Sequence, residues 1–199
     1  MCSDEDVNLI KSKTTDQILK EIKSIYHFDL NTGPYITGSF VTYMIASQYE
    51  SVNWTFNDID IICGSQSQYE NIHDILKKVS HNYMNNPQNA LNEFINHYMD
   101  GYRIQIVNRP DIAVNYWLEN VDYTICAGCT DGKRLIVPLN TLSDIKNKVL
   151  RENNDSITEK RVLKWGVDYV KKRYQKYIDR GYVDFNQTIF NKLKLYENS

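Results

Sequence analysis

The sequence predicts an α+β fold: a sheet built from alternating strands and helices, followed by a helical C-terminal portion. Three observations carry this. Short runs of alternating apolar and polar residues recur between helical patterns over roughly the first 140 residues. From residue 141 onward the periodicity is helical. At 199 residues, with 42% hydrophobic content and a formal net charge of −2, the chain is long enough to bury a core. The expected division is a core over residues 1–140 with a helical region, 141–199, packed on it.

In chain order, residues 16–26 (DQILKEIKSIY) carry apolar side chains at helical spacing behind a Thr14 or Thr15 cap. A break at Asn31-Thr32-Gly33-Pro34 leads into a brief strand, 35–37. Gly38-Ser39 opens a helix over 40–48, with Ser39 expected as its cap, and a strand over 59–63 follows. Residues 69–79 and 88–98 read as helices, 102–107 (YRIQIV) as a strand, 111–118 as a helix behind Asp111, and 121–126 as a strand. Asp131-Gly132 signals a tight turn, so 133–137 is expected to return against 121–126. One long basic helix is expected over 159–180, ended by Gly181.

No apolar run approaches the roughly 18 residues that span a bilayer, and the acidic MCSDEDV start is unlike a signal peptide. The expectation is a soluble, cytoplasmic protein with no membrane partner. Cys2, Cys63, Cys126 and Cys129 have no disulfide-framework spacing, which agrees with a reducing compartment. The C-x-x-C at 126–129 has no second pair, and His27, His73, His81 and His97 are scattered, so buried packing outranks a zinc site. Abundant Asn, Lys, Ile and Tyr suggest an AT-rich genome, such as that of a phage or large virus in host cytoplasm. Oligomeric state leaves no mark in the sequence.

The chemistry begins at NDIDII, residues 57–62. On a strand Ile59 and Ile61 pack inward while Asp58 and Asp60 share the other face, about 7 Å apart along the chain. Two such carboxylates repel and resist desolvation unless they face open solvent or converge on a divalent cation. Upstream, TGSF (37–40) places a glycine and a serine at a strand-to-helix junction. Such a junction is either an ordinary turn or a cradle where backbone N–H groups meet a phosphate. Together, cradle and acid pair are what phosphoryl or nucleotidyl transfer needs.

Gly38-Ser39 at a helix start followed by Asp58-Ile59-Asp60-Ile61 resembles the nucleotidyltransferase superfamily, which includes DNA polymerase beta and CCA-adding enzymes. Trp54, Asp122, Tyr123 and Cys126 are similar to slots in viral and phage members. The resemblance implies a mixed sheet flanked by helices and transfer of a nucleoside monophosphate from an NTP to an acceptor hydroxyl on nucleic acid or protein. It implies that Asp58 and Asp60 bind Mg²⁺ or Mn²⁺ and that Gly38 and Ser39 hold the triphosphate, ATP among the candidates. The family's third acid is matched by Gln105, which holds no proton-accepting carboxylate. Either Asp122 supplies it, as a lone acid among apolar residues, or the fold is a catalytically degenerate nucleic-acid or protein binding module. Asp122 facing water at a strand start is the plainer alternative.

Arg103 and Lys133 are candidate phosphate partners. In the basic window 160–180, Arg173, Lys176 and Arg180 recur at spacings of three and four with Tyr169, Tyr174 and Tyr177 nearby. That face could track RNA or DNA, or simply be solvated.

Overall fold

The computed structural model of the chain describes residues 34–79, 82–85, 94–99, 102–107, 114–132 and 135–197. The expected helix at 16–26, Asp111 and Lys133 lie outside the described residues.

Seven strands form one sheet: β1 (Tyr35–Thr37), β2 (Asp58–Ile62), β3 (Asn82–Asn85), β4 (Phe94–Met99), β5 (Tyr102–Val107), β6 (Cys129–Thr130) and β7 (Leu135–Ile136). Their order is β3-β4-β5-β2-β1-β6-β7. Only β2 and β5 run parallel, so the sheet is mixed, as expected. Parallel neighbours need a crossover. Here the chain makes it through α2 (Gln66–Val79) and the β3–β4 pair before returning as β5. The other helices are α1 (Ser39–Ala46), α3 (Val114–Glu119), α4 (Leu139–Lys146), α5 (Ile157–Trp165), α6 (Val167–Asp179) and α7 (Thr188–Glu197). Two short strands, β8 (Val149–Leu150) and β9 (Val183–Asp184), pair in parallel between them. Among the described residues no helix is long and apolar enough to cross a membrane.

Period-two alternation sorts the two central strands into faces. Ile59, Ile61, Ile104 and Ile106 are buried in the core, while Asp58, Asp60, Arg103 and Gln105 keep partial exposure. The parallel register sets Asp58 beside Arg103 and Asp60 beside Gln105, so one polar stripe crosses the middle of the sheet. Ile36, Phe40 and Ile45 of β1 and α1 are fully buried in the same cluster as Val162, Val170, Tyr177, Ile189 and Leu193 of the C-terminal helices. Each such side chain contributes about 1.5–3 kcal/mol.

Four expectations are corrected. Of the helix expected over 88–98, residues 94–98 lie instead in β4, which pairs along its whole length with β5, while 88–93 lie outside the described residues. The Phe94, Ile95 and Tyr98 spacing suits a helix as well as a strand, and ladder bonding to β5 decides. The polar edge strand β3 (Asn82–Asn85) carries no apolar alternation to announce it. The strand over 121–126 is a single Tyr123–Glu152 bridge followed by a 3₁₀ turn, Thr124–Cys126. Its backbone carbonyls are claimed by side chains instead: Thr141 Oγ1 donates to the Thr124 carbonyl and Thr42 Oγ1 to the Ile125 carbonyl, each at 2.8 Å. The turn at Asp131-Gly132 is present, but β7 pairs with β6. Finally, the helix over 159–180 is broken at Gly166, whose φ of 85° suits glycine, into α5 and α6. Gly181 follows Arg180 at φ 85°, as expected of a helix end. Cys63, Cys126 and Cys129 are buried free thiols, and Cys126 Sγ lies 2.9 Å from the Tyr177 hydroxyl.

His97 on β4 is fully buried, its Nε2 3.3 Å from His73 Nδ1 on α2. Burial first, then the His73 and Lys77 charges, push it down to about 4. Above about pH 6.5 both folded and unfolded chains hold it neutral. As pH falls from there toward 4, the unfolded chain takes up a proton that the folded one refuses, and stability drops. Because other groups titrate in the same range, the readout is the difference between parent and His97→Gln: it should stay constant from pH 8 to 7 and move in the variant's favour below pH 6.5, as urea midpoints of the two proteins will show.

Candidate active site

The antiparallel register of β1 and β2 sets Thr37 opposite Asp60, so the bend after Thr37 falls beside that carboxylate. Gly38 occupies the bend at φ 76°, and a Cβ there would stand 2.2 Å from Asp60 Oδ2. Only glycine leaves room for the acid. Ser39 is the first residue of α1, whose N-cap is Gly38 with no side-chain cap bond, which corrects the expected Ser39 cap. Its hydroxyl turns instead to Asp58 Oδ1 at 3.5 Å. The α1 N-terminus therefore presents first-turn amides without a side-chain cap, next to two carboxylates.

Arg103 Nη2 is 2.5 Å from Asp58 Oδ2, and Arg103 Nε is buried without a hydrogen-bond partner among the described residues. Gln105 lies between the acids and Asn96 of β4, bonding Asn96 Oδ1 at 2.7 Å. Burial, then the Asp58 charge, push the Asp60 carboxyl up to about 7 against the opposing pull of Arg173, Lys176 and Arg103. The basic helix α6 thus bears on the acid pair. Burial and the Arg180 charge hold Lys176 below the usual lysine range, while Asp58 works the other way.

The spacing-derived group of Arg173, Lys176 and Arg180 divides. Arg180 is 7% exposed, its Nη2 donates to the Thr55 carbonyl at 2.9 Å, and its guanidinium lies 4.2 Å from the Trp54 ring. It fastens the loop before β2 to the end of α6 and offers little surface to a nucleic acid. Arg173 belongs to a different knot. Asp122, buried ahead of the 3₁₀ turn, accepts from Arg161 Nε at 2.6 Å through Oδ1 and from Arg173 Nε at 2.5 Å through Oδ2. Both oxygens are engaged by guanidiniums, so Asp122 reaches the acid pair only through Arg173. Asn96 is the site residue that sequence reasoning passed over. Its signal was the β4 register, hidden by the helical reading of the same segment.

The donor set suits a hard divalent cation. Asp58 and Asp60 offer close-set carboxylate oxygens, and a cation relieves the repulsion that lifts Asp60. Among the described residues no group of three or more His, Cys, Asp or Glu side chains assembles. The two carboxylates would therefore share the cation with neutral oxygens or with a ligand.

Two outcomes follow. Asp60→Asn removes the like-charge pair, so in EDTA it should melt above the parent, while its gain from added Mg²⁺ disappears; thermal denaturation with and without metal checks this. Asp122→Ala leaves two half-buried guanidiniums unpaired and should cost about 2–4 kcal/mol in urea unfolding, less than a fully buried pair because both arginines retain some exposure.

No protein-family model matches the chain, and no curated protein matches it in sequence. Solved structures do match. The Thermotoga maritima CCA-adding enzyme complexed with tRNA gives a TM-score of 0.61 at 16% identity, over 94% of this chain and 43% of its own. A CCA-adding enzyme with CTP gives 0.58 at 16% identity, over 86% and 40%. A tRNA-processing enzyme in an apo form gives 0.60 at 17% identity, over 94% and 48%. The chain spans less than half the length of each of these. CCA-adding enzymes belong to the nucleotidyltransferase superfamily, and the mixed sheet and C-terminal helices described above have that fold.

Proposed function

We propose that the chain is a metal-dependent nucleotidyltransferase that moves a nucleoside monophosphate from an NTP to an acceptor hydroxyl on a nucleic acid. One observation carries the reading: the Asp60 carboxylate rests against Gly38 while Asp58 meets Ser39, so acid pair and phosphate cradle occupy one place. The solved neighbours bound to tRNA and to CTP support the substrate classes.

Asp58 and Asp60 would hold Mg²⁺ or Mn²⁺. The ion supplies Lewis-acid charge on the triphosphate oxygens and acceptor. Gly38 lets the polyphosphate approach the backbone, and the first amides of α1 with Ser39 orient it. Arg103, Arg173 and Lys176 add positive charge around it. In the transfer the acceptor oxygen bonds the α-phosphorus, the bond to the β-phosphate oxygen breaks, and pyrophosphate leaves. The acceptor proton passes to water, because both Asp122 oxygens are engaged. An NTP substrate fits a cytoplasmic setting, and the Asn- and Lys-rich composition fits a phage or viral source.

A second reading, a degenerate fold kept as a binding module, is favoured by one fact: Gln105 stands where the family's third acid is expected. A transfer assay with each α-labelled NTP, Mg²⁺ or Mn²⁺, and RNA, DNA or protein as acceptor separates the two. The parent should label a nucleic acid, and Asp58→Ala and Asp60→Ala should lower labelling at least about a hundredfold. Equal labelling by those variants rejects the enzyme; RNA binding without metal-linked NTP affinity selects the module.

A further inference from the structure

Gln105 stands beside Asp60 of β2 and across from Asn96 of β4 in the strand registers. Its Nε2 donates to Asn96 Oδ1 at 2.7 Å. That turns Oε1 toward the acids, at 3.1 Å from both Asp60 Oδ1 and Asp58 Oδ2. Three acceptor oxygens so close repel: Arg103 Nη2 meets Asp58 Oδ2 at 2.5 Å, yet Gln105 Oε1 still faces Asp60 Oδ1. Two arrangements provide relief. If both amides turn over, Nε2 donates to the two carboxylates at the same 3.1 Å and Asn96 presents its own nitrogen to Gln105. If they stay, a cation between the three oxygens relieves them. Octahedral ligands about 2.1 Å from Mg²⁺ stand about 3 Å from their neighbours, close to the 3.1 Å from Gln105 to each carboxylate.

We infer that Gln105 is itself a ligand, through its amide oxygen, of the cation held by Asp58 and Asp60, and that Asn96 is its positioning residue. This rests on the reading of the acid pair as a cation site. Without the cation the amide pair turns over and its nitrogen braces the acids; with it, the oxygen faces in. Asn96 is 7% exposed and cross-strand to Gln105, which suits a side chain that fixes which end of the amide points inward.

The test is Mn²⁺ affinity without nucleotide, read by electron paramagnetic resonance of the free ion, on the full chain. Gln105→Leu should weaken binding at least about tenfold, and Asn96→Ala should fall between Gln105→Leu and the parent. Gln105→Glu, equal in reach and negatively charged, should tighten it and guards against a folding defect in the leucine variant. A bracing role alone gives the opposite sign for Gln105→Leu, because losing bonds made only in the cation-free state leaves binding equal or tighter. Equal or tighter binding there overturns the inference, and parent-like binding by Asn96→Ala overturns the role of Asn96. A parent that binds no Mn²⁺, or an Asp60→Asn that binds like the parent, removes the cation site itself.

Discussion

The contact between the Asp60 carboxylate and the Gly38 backbone is the constraint on which the rest of the site depends. A side chain at position 38 would overlap Asp60 Oδ2, so the bend, the start of α1 and the acid are fixed together. The antiparallel pairing of β1 and β2 brings them into line, and the isoleucines on the reverse of β2 and β5 anchor that pairing in the core. The acids themselves add no stability. Half-buried and of like charge, they are tolerated because the surrounding packing over-determines their position. This is the usual relation between a functional site and the fold that carries it.

The C-terminal helices answer that charge. α6 brings Arg173 and Lys176 within electrostatic reach of Asp60, and Asp122 holds Arg173 in place from the side of the 3₁₀ turn. Arg161 of α5 shares the same carboxylate, so one buried acid ties two helices to the sheet region. Gly166 makes this possible. A continuous helix from Ile157 to Asp179 would run straight, whereas the break lets α5 and α6 approach Asp122 from different directions. Arg180, stacked on Trp54, extends the clasp to the loop that leads into β2.

Where local rules and tertiary packing agree, the elements could be read from residues alone. β1, β2 and β5 have clear alternation, α1 follows a glycine-serine bend, and the acid pair beside that bend was legible from the spacing of TGSF and NDIDII. Where they compete, the reading fails. Residues 94–98 satisfy helical and strand periods equally, and only the partner β5 chooses between them. Residues 121–126 look like a strand, yet the Thr141 and Thr42 side chains take the Thr124 and Ile125 carbonyls that a ladder would use. Asp122 drew attention as a lone acid in apolar surroundings; its partners, 39 and 51 residues away, leave no local trace. Periodicity likewise gave the spacing of Arg173, Lys176 and Arg180 without showing that Arg173 meets Asp122 and that Arg180 stacks on Trp54.

The electrostatics of the site also link cation and polyphosphate. Asp58 is met directly by Arg103, but Arg173 is already engaged by Asp122, and Lys176 is partly desolvated. The positive charge free to receive a triphosphate is therefore small beside the charge such a ligand carries. Asp58 and Asp60 would repel its oxygens at short range in a half-buried setting, where screening is weak. A divalent ion between the carboxylates reverses the sign of that interaction without moving any protein group. Under the proposed function, the bare acid pair would be a barrier to nucleotide and the cation-loaded pair an attractor, so the two ligands would favour each other's binding by the same free energy.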